Sequence, residues 1–386
     1  MQTKNIHSER TILNDTQLGR SLPAVHENIP ALDGLRAVAV VGVILGHVSD
    51  LLLPGGGMGV DIFFVLSGFL IASIIHKDLH QGTFSFRQFY LRRIQRLLPN
   101  AALTVVVTLL FVWLIAPQWV ERLSGRHAIW TLLNLSNIFA LRTLGNYWGT
   151  AASDAPFTHF WSLGIEEQYY VLFPLVFFCV YKLFRQRNNT MPILIFFAIL
   201  AVTSFAFCLR ETLREPTSAF FLPQFRFWEL LAGAALALHV KPFIPVSVNR
   251  PRAKSYVKTI LGIFCLGVIP LFYFLYDDGL FFPGWVALLP VLASIGVIFS
   301  ITTSKGIASQ LLSFKPVVQV GKYSYSLYLW HWPAIVLARH CLQFEDPTHS
   351  ALVGALIGIP LAVCAYHLVE RPLRICNDGG GGYGDL

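Results

Sequence analysis

The stretch ALDGLRAVAVVGVILGHVSDLLL (31–53) decides the fold class. It is long enough to cross a bilayer as a helix. The residues before it are polar, the run is too long for the apolar core of a signal peptide, and no clean cleavage site follows. It therefore reads as a retained anchor. Working outward, similar runs recur near 58–76, 98–116, 166–184, 192–209, 219–240, 259–276, 281–302, 323–342 and 350–369. The chain is 55% hydrophobic and only 13% charged, where soluble domains carry about 25% charged residues. The expected fold class is all-α: a polytopic membrane protein with about ten transmembrane helices.

Charge placement orients it. With the N-terminus inside, 21 of the 29 Lys and Arg residues fall in cytoplasmic segments, among them Lys4, Arg10, Arg20, Arg185, Arg187, Lys241, Arg250, Arg374 and the cluster Arg92, Arg93 and Arg96. Six fall outside (Arg122, Arg126, Arg142, Arg210, Arg214, Arg339), and Arg36 and Arg226 lie within spans. This bias predicts that both termini are cytoplasmic. The net charge of +8 is thus a topology signal, and no nucleic-acid partner is expected. The expected organisation is a cytoplasmic segment at 1–30, a membrane domain at 31–374 and a flexible Gly-rich tail at 375–386. The longest outer connection, Pro117 to Ile165, contains a moderately apolar piece, His127–Leu141, that reads as interfacial or re-entrant. The six cysteines are scattered with no CxxC, so they read as apolar filler, with neither a disulfide framework nor a metal site.

Ionisable groups inside spans are costly, which marks them as functional candidates. Arg36 and His47 are eleven residues apart, so at 100° per residue they return to within about 20° of one helical face, roughly 16 Å apart along the axis. Arg93 and Arg96 share a face three residues apart. Glu166 and Glu167 stand at the outer mouth of the fourth span and point about 100° apart. Arg226 and Glu229, three apart in the sixth span, suit an internal ion pair more than catalysis. His331 lies among Tyr325, Tyr328, Trp330 and Trp332, an aromatic path that fits either an acyl-pantetheine tunnel or sugar stacking. His127, His159, His340 and His349 show no metal-like spacing.

Seven blocks in order carry a resemblance: ALDGLRAVAVVGVILGHV (31–48), GVDIFFVLSGFLI (59–71), FYLRRIQRLLP (89–99), FWSLGIEEQYYVLFP (160–174), FRFWELLAG (225–233), GKYSYSLYLWHWP (321–333) and VERPLR (369–374). Together they resemble the acyltransferase-3 family of bacterial membrane O-acyltransferases that acetylate surface polysaccharide such as O-antigen. That family's frequent C-terminal extracytoplasmic esterase domain has no counterpart in these residues.

The resemblance implies acetyl transfer from cytosolic acetyl-CoA, with no metal, to a saccharide or lipid-linked glycan hydroxyl, by a multi-pass protein of the bacterial inner membrane in contact with its lipids. It implies a catalytic group of His47, Arg36, Glu166 and Glu167. His47 would be the general base or a transient acetyl carrier, and the inward glutamate would orient it or bind saccharide hydroxyls. Arg36, Arg93, Arg96, Tyr328 and His331 would hold the donor, the arginines through its phosphates. Asp61, Trp161 and Glu166 would meet the acceptor, and Asp61 would help polarise His47. One cavity is expected to join Arg36 to His47. A secondary transporter or flippase for a small or lipid-linked substrate is the alternative, with the same buried groups forming a proton or substrate path.

Overall fold

The structure, a computed structural model, describes residues 29–49, 53–145, 149–184, 190–240, 252–276, 282–342 and 344–373. The N-terminal segment to residue 28, the Gly-rich tail, Cys376 and the cations Lys4, Arg10, Arg20, Arg185, Arg187, Lys241, Arg250 and Arg374 lie outside the described residues. Among the described residues the regular structure is all helical. The longer helices are α1 (Pro30–Val48), α2 (Gly59–Gln81), α3 (Phe86–Ile115), α4 (Gln118–Leu132), α5 (Phe160–Phe184), α6 (Met191–Arg214), α7 (Pro216–Phe221), α8 (Phe227–Val240), α9 (Arg252–Leu275), α10 (Leu288–Thr303), α11 (Ile307–Leu312), α12 (Lys315–Lys322), α13 (Ser324–Leu342) and α14 (Pro347–Ala365).

A helix stands at each of the ten predicted spans, and seven of them are long and apolar enough to cross a membrane. Three differ for local reasons. The predicted span 219–240 is broken, because α7 ends at Phe221 and a 3-10 turn at Pro223–Phe225 precedes α8. Pro223 lacks the N–H that a continuous helix needs, and Arg226 sits in the break rather than inside a helix. Helix α10 is only 16 residues long. Helix α13 carries Ser324, Ser326, His331, Arg339 and His340 along its length. The apolar piece His127–Leu141 is divided: its start belongs to helix α4, which begins nine residues earlier, and its remainder forms a turn and the short helical segments Ser136–Phe139 and Ala140–Leu144. There His127 is buried, stacked on Phe139 at 4.3 Å, with Ser136 Oγ 2.7 Å from its Nε2. Burial lowers that imidazole to about 3, so it is a neutral clamp on the outer connection.

Helices α1 and α2 form the centre: 78% and 83% of their apolar windows are buried, against 22% for α6 and α9, whose exposed Leu, Ile, Val and Phe side chains suit lipid contact. Helix α2 packs on α8, α1 on α12, and α13 on α14. The α2–α8 contact is backbone on backbone. A Cβ on Gly68 would lie 1.8 Å from Leu230 O, and one on Gly233 would lie 2.0 Å from Val65 O. Small residues let membrane helices approach this closely, where no hydrophobic drive between them exists. Beside the residues of the large cavity a buried network ties α3 to α13 and to the turn at Tyr366–Glu370. Asn100 Nδ2 donates to Ser326 Oγ at 2.8 Å, Trp330 Nε1–H donates to Asn100 Oδ1 at 3.3 Å, and Ser326 donates to the Glu370 carboxylate.

Gly68→Val should therefore prevent α2 and α8 from seating. The expected result is loss of the monodisperse peak in fluorescence-detected size exclusion, whereas Gly125→Ala on α4, where a Cβ would meet open space, should leave that peak in place.

Candidate active site

Two cavities lie side by side in the middle of the bundle. The larger, of about 230 Å³, is lined by Arg36 from α1, Ser67 from α2, Arg93 and Arg96 from α3, Glu166, Glu167 and Tyr170 from α5, Lys322 from α12 and Tyr328 from α13. It extends to Thr131, Asn134, Phe160 and Ser162 near the start of α5. Four cationic side chains against two carboxylates give it a basic lining. Low dielectric walls strengthen the attraction of such a lining for an anion.

The sequence puts these cations there through helix geometry. Helix α3 is 30 residues long, about 45 Å at 1.5 Å per residue, well beyond the bilayer core. Its amphipathic first turns therefore carry Arg93 and Arg96 along the cavity wall before the apolar part begins. Arg93 lies over the rings of Phe89 at 5.8 Å and Tyr170 at 5.4 Å, which position its guanidinium by cation–π attraction. Arg36 is held from its own helix by Asp33, at 2.8 Å. Glu166 accepts from the hydroxyls of Ser67 and Tyr170.

The smaller cavity, of about 20 Å³, is lined by His47, Asp61, Arg226, Trp161, Phe220, Tyr276 and Phe282, with Pro54, Gly57 and Met58 from the turn after α1. Val60 borders both cavities. Trp161 faces the small one and its neighbour Ser162 the large one, so the first turn of α5 belongs to the partition. Tyr328 reinforces it, with its hydroxyl 2.6 Å from Ser162 Oγ and donating to His159 O at 2.9 Å.

His47 is aligned from behind by α13. Its Nδ1 lies 2.9 Å from His331 Nε2, and His331 Nδ1 lies 3.0 Å from Leu327 O. A carbonyl only accepts, so His331 carries its proton on Nδ1 and offers a lone pair at Nε2. His47 must then donate from Nδ1, which leaves the basic lone pair on its Nε2. The Trp332 ring lies 4.6 Å from the His47 ring, which packs the imidazole into that orientation.

Several expectations change. Arg36 and His47 line different cavities, because the aromatic face of α13 fills the space beside α1 between them. Glu166 and Glu167 do not stand at the mouth beside His47. Helix α5 begins at Phe160, which sets Glu166 about 9 Å further along the axis, and it shares the basic cavity with Arg93. The residue that orients His47 is His331, not a glutamate, and His331 lies behind the base instead of along a donor path. Asp61 does line the cavity of His47, yet its Oδ1 accepts from Arg226 Nη2 at 2.9 Å. The Arg226–Glu229 pair forms as spaced, at 3.2 Å, with Asp61 as a third member. His159, to which no role fell from sequence, packs its ring 5.5 Å from those of His331 and Tyr328. Its position before α5 gave no spacing signal toward α13.

The Acyltransferase domain family matches residues 29–367. Over 360 residues the chain is 34% identical to YrhL of Bacillus subtilis, named as a candidate peptidoglycan O-acetyltransferase; the match covers 90% of this chain and 55% of that protein. It is 31% identical over 352 residues to the O-acetyltransferase OatA of Staphylococcus aureus, covering 90% of this chain and 57% of that protein. It is 32% identical over 356 residues to the peptidoglycan O-acetyltransferase OatA of Listeria monocytogenes, covering 90% and 56%. The chain thus spans just over half the length of these relatives. No solved structure matches it. With the family match running nearly end to end over the helices that build both cavities, the chain belongs to the acyltransferase-3 family.

Proposed function

We propose that this chain is a membrane O-acetyltransferase that moves an acetyl group from cytosolic acetyl-CoA to a hydroxyl of an extracytoplasmic saccharide. The observation that carries the reading is a basic cavity lying against the cavity of an aligned histidine base, with one thin partition between them. The positive bias of the loops assigns the Arg36–Lys322 end of the bundle to the cytosol. In the same reading both termini are cytoplasmic, and the inner membrane rests on the family resemblance.

In this reading Arg93, Arg96 and Lys322 hold the phosphates of CoA, as forked or point-charge donors do. The thioester arm runs along the cavity toward Tyr328, and Arg36 steadies it. His47 Nε2 takes the proton of the acceptor hydroxyl, the oxygen attacks the thioester carbonyl, and the C–S bond breaks. The proton then passes from His47 to the departing thiolate, so the imidazole is regenerated. Val60 and Tyr328 must give way for donor and acceptor to meet. The relatives' names favour peptidoglycan as the acceptor, while O-antigen rests on the family resemblance alone.

Three outcomes follow for purified protein assayed by thiol release from acetyl-CoA in the presence of glycan. His47→Ala should lower turnover by about 10²–10⁴-fold, the usual worth of a general base, with the size-exclusion profile unchanged. A transporter would release no CoA in either form. Arg93→Ala or Arg96→Ala should raise KM for acetyl-CoA by about tenfold, the loss of one charge-assisted contact, and leave KM for the glycan nearly constant; equal loss for both substrates points to a folding role instead. His331→Phe, which removes the acceptor for His47 Nδ1–H, should lower kcat by about 10–100-fold, as loss of an orienting partner does. His331→Gln, whose side-chain oxygen can accept that proton, should restore most of it.

A further inference from the structure

One wall of the large cavity is incomplete, and the gap faces the side of the bundle. It lies between α3 and α5. Among the described residues α3 packs along α4 and α13 but not along the length of α5. The two helices meet at one end, where the Tyr90 hydroxyl donates to Val171 O at 2.9 Å and the Arg93 guanidinium lies 5.4 Å from the Tyr170 ring. Toward the other end α4 covers the seam. It follows α3 after the turn at Ala116 and Pro117 and packs back along it, its 15 residues covering about 22 Å. Its exposed side chains change character on the way, from Glu121, Arg122 and Arg126 to Ile129, Leu132 and Leu133. That order marks a helix dipping from a polar surface into hydrocarbon. Its tip is pinned to α5, where Gln168 Nε2 donates to Asn134 O at 2.9 Å. A window remains between this tip and the Tyr90–Val171 bond. Ile94, Leu98 and Leu132 line the cavity and are still 40–53% exposed, so they form apolar lips between the cavity and the bilayer.

We propose that the basic cavity binds the phosphate of an anionic phospholipid whose acyl chain passes out through this window. Charge argues for the head. Arg36, Arg93, Arg96 and Lys322 outnumber Glu166 and Glu167, and Glu166 already accepts from Ser67 and Tyr170. Basic pockets between membrane helices recognise lipid head groups in this way. The lips argue for the tail. Leu98 stands five residues beyond Arg93, about 7–8 Å along the axis, so a head at Arg93 brings the start of its acyl chain level with Leu98. A soluble anion gains nothing from apolar lips, and a lipid without net charge gains less from the cations. In the transfer reading the same cations hold the donor's phosphates, so lipid and donor would exclude one another. The lipid site itself stands on the cavity and its window, whichever reaction the chain performs.

The test is native mass spectrometry of the purified full chain, titrated with phosphatidylglycerol, phosphatidylcholine and soluble glycerophosphate. Phosphatidylglycerol should bind about tenfold or more tightly than phosphatidylcholine, the worth of one charge-assisted contact. Glycerophosphate, a head without a chain, should bind at least about tenfold more weakly than phosphatidylglycerol, because buried methylenes add affinity. Leu98→Trp narrows the window and should weaken phosphatidylglycerol binding by about tenfold, and its size-exclusion peak reports whether the fold is retained. If Leu98→Trp does not fold, Ile94→Trp, one turn earlier on the same face, should give the same loss. Equal binding of the two lipids would leave only general contact with the bilayer and overturn the site. Glycerophosphate binding as tight as that of phosphatidylglycerol would make it a site for free phosphate instead. Unchanged phosphatidylglycerol binding in a folded variant would place the lipid elsewhere and equally overturn the proposal.

Discussion

An arginine cannot be buried in an apolar bundle unless its counter-charges are buried with it. Removing one partner of such a group typically costs about 3–5 kcal/mol. Arg226 meets this condition with Asp61 from α2 and Glu229 from α8, and much of the architecture around the small cavity follows. The pairing draws α2 and α8 together, and the glycines Gly68 and Gly233 let their backbones meet once drawn. The guanidinium enters from a non-helical position, which the proline turn before α8 provides. Asp61 is then fixed within the cavity that also contains His47.

In the proposed transfer the two cavities would divide the work between a donor and an acceptor that differ in side of origin. A multiply anionic donor calls for a cationic, open lining, which α3 and α12 supply. Keeping them apart while one is unoccupied protects a reactive thioester from water. The partition is made of single side chains, Val60 and Tyr328 with the first turn of α5, so only local movement separates the closed arrangement from a joined one.

The positions of the helices were legible from sequence, because apolar run length and charge bias are one-dimensional signals. So was the Arg226–Glu229 pair, whose three-residue spacing puts both groups on one side even though Arg226 stands just outside the helix. The groups that define the site by contact across the bundle were not. His331 meets His47 from 284 positions away, and Asp61 meets Arg226 from 165 away; no local period encodes either. The shared face of Arg36 and His47 gave the right helix and the wrong cavity. Which void a side chain enters depends on how the neighbouring helix fills the space, here with Tyr328, His331 and Trp332. Pro223 did signal the break in the span 219–240, but its apolar neighbours outweighed it in a hydropathy reading.

The choice of a second histidine behind His47, where many hydrolytic sites place a carboxylate, follows from the setting. A carboxylate fixes the imidazole tautomer and stabilises the imidazolium, at the cost of one more buried charge. In this bundle the buried carboxylates nearby already answer to Arg226. His331 fixes the tautomer without adding charge, because its own proton is committed to Leu327 O. The arrangement gives up some stabilisation of the imidazolium, and in the proposed transfer that suits a base required to hold a proton only between attack and departure of the thiolate. A tightly held proton would slow its return to the leaving group, so a neutral partner favours turnover over permanent protonation.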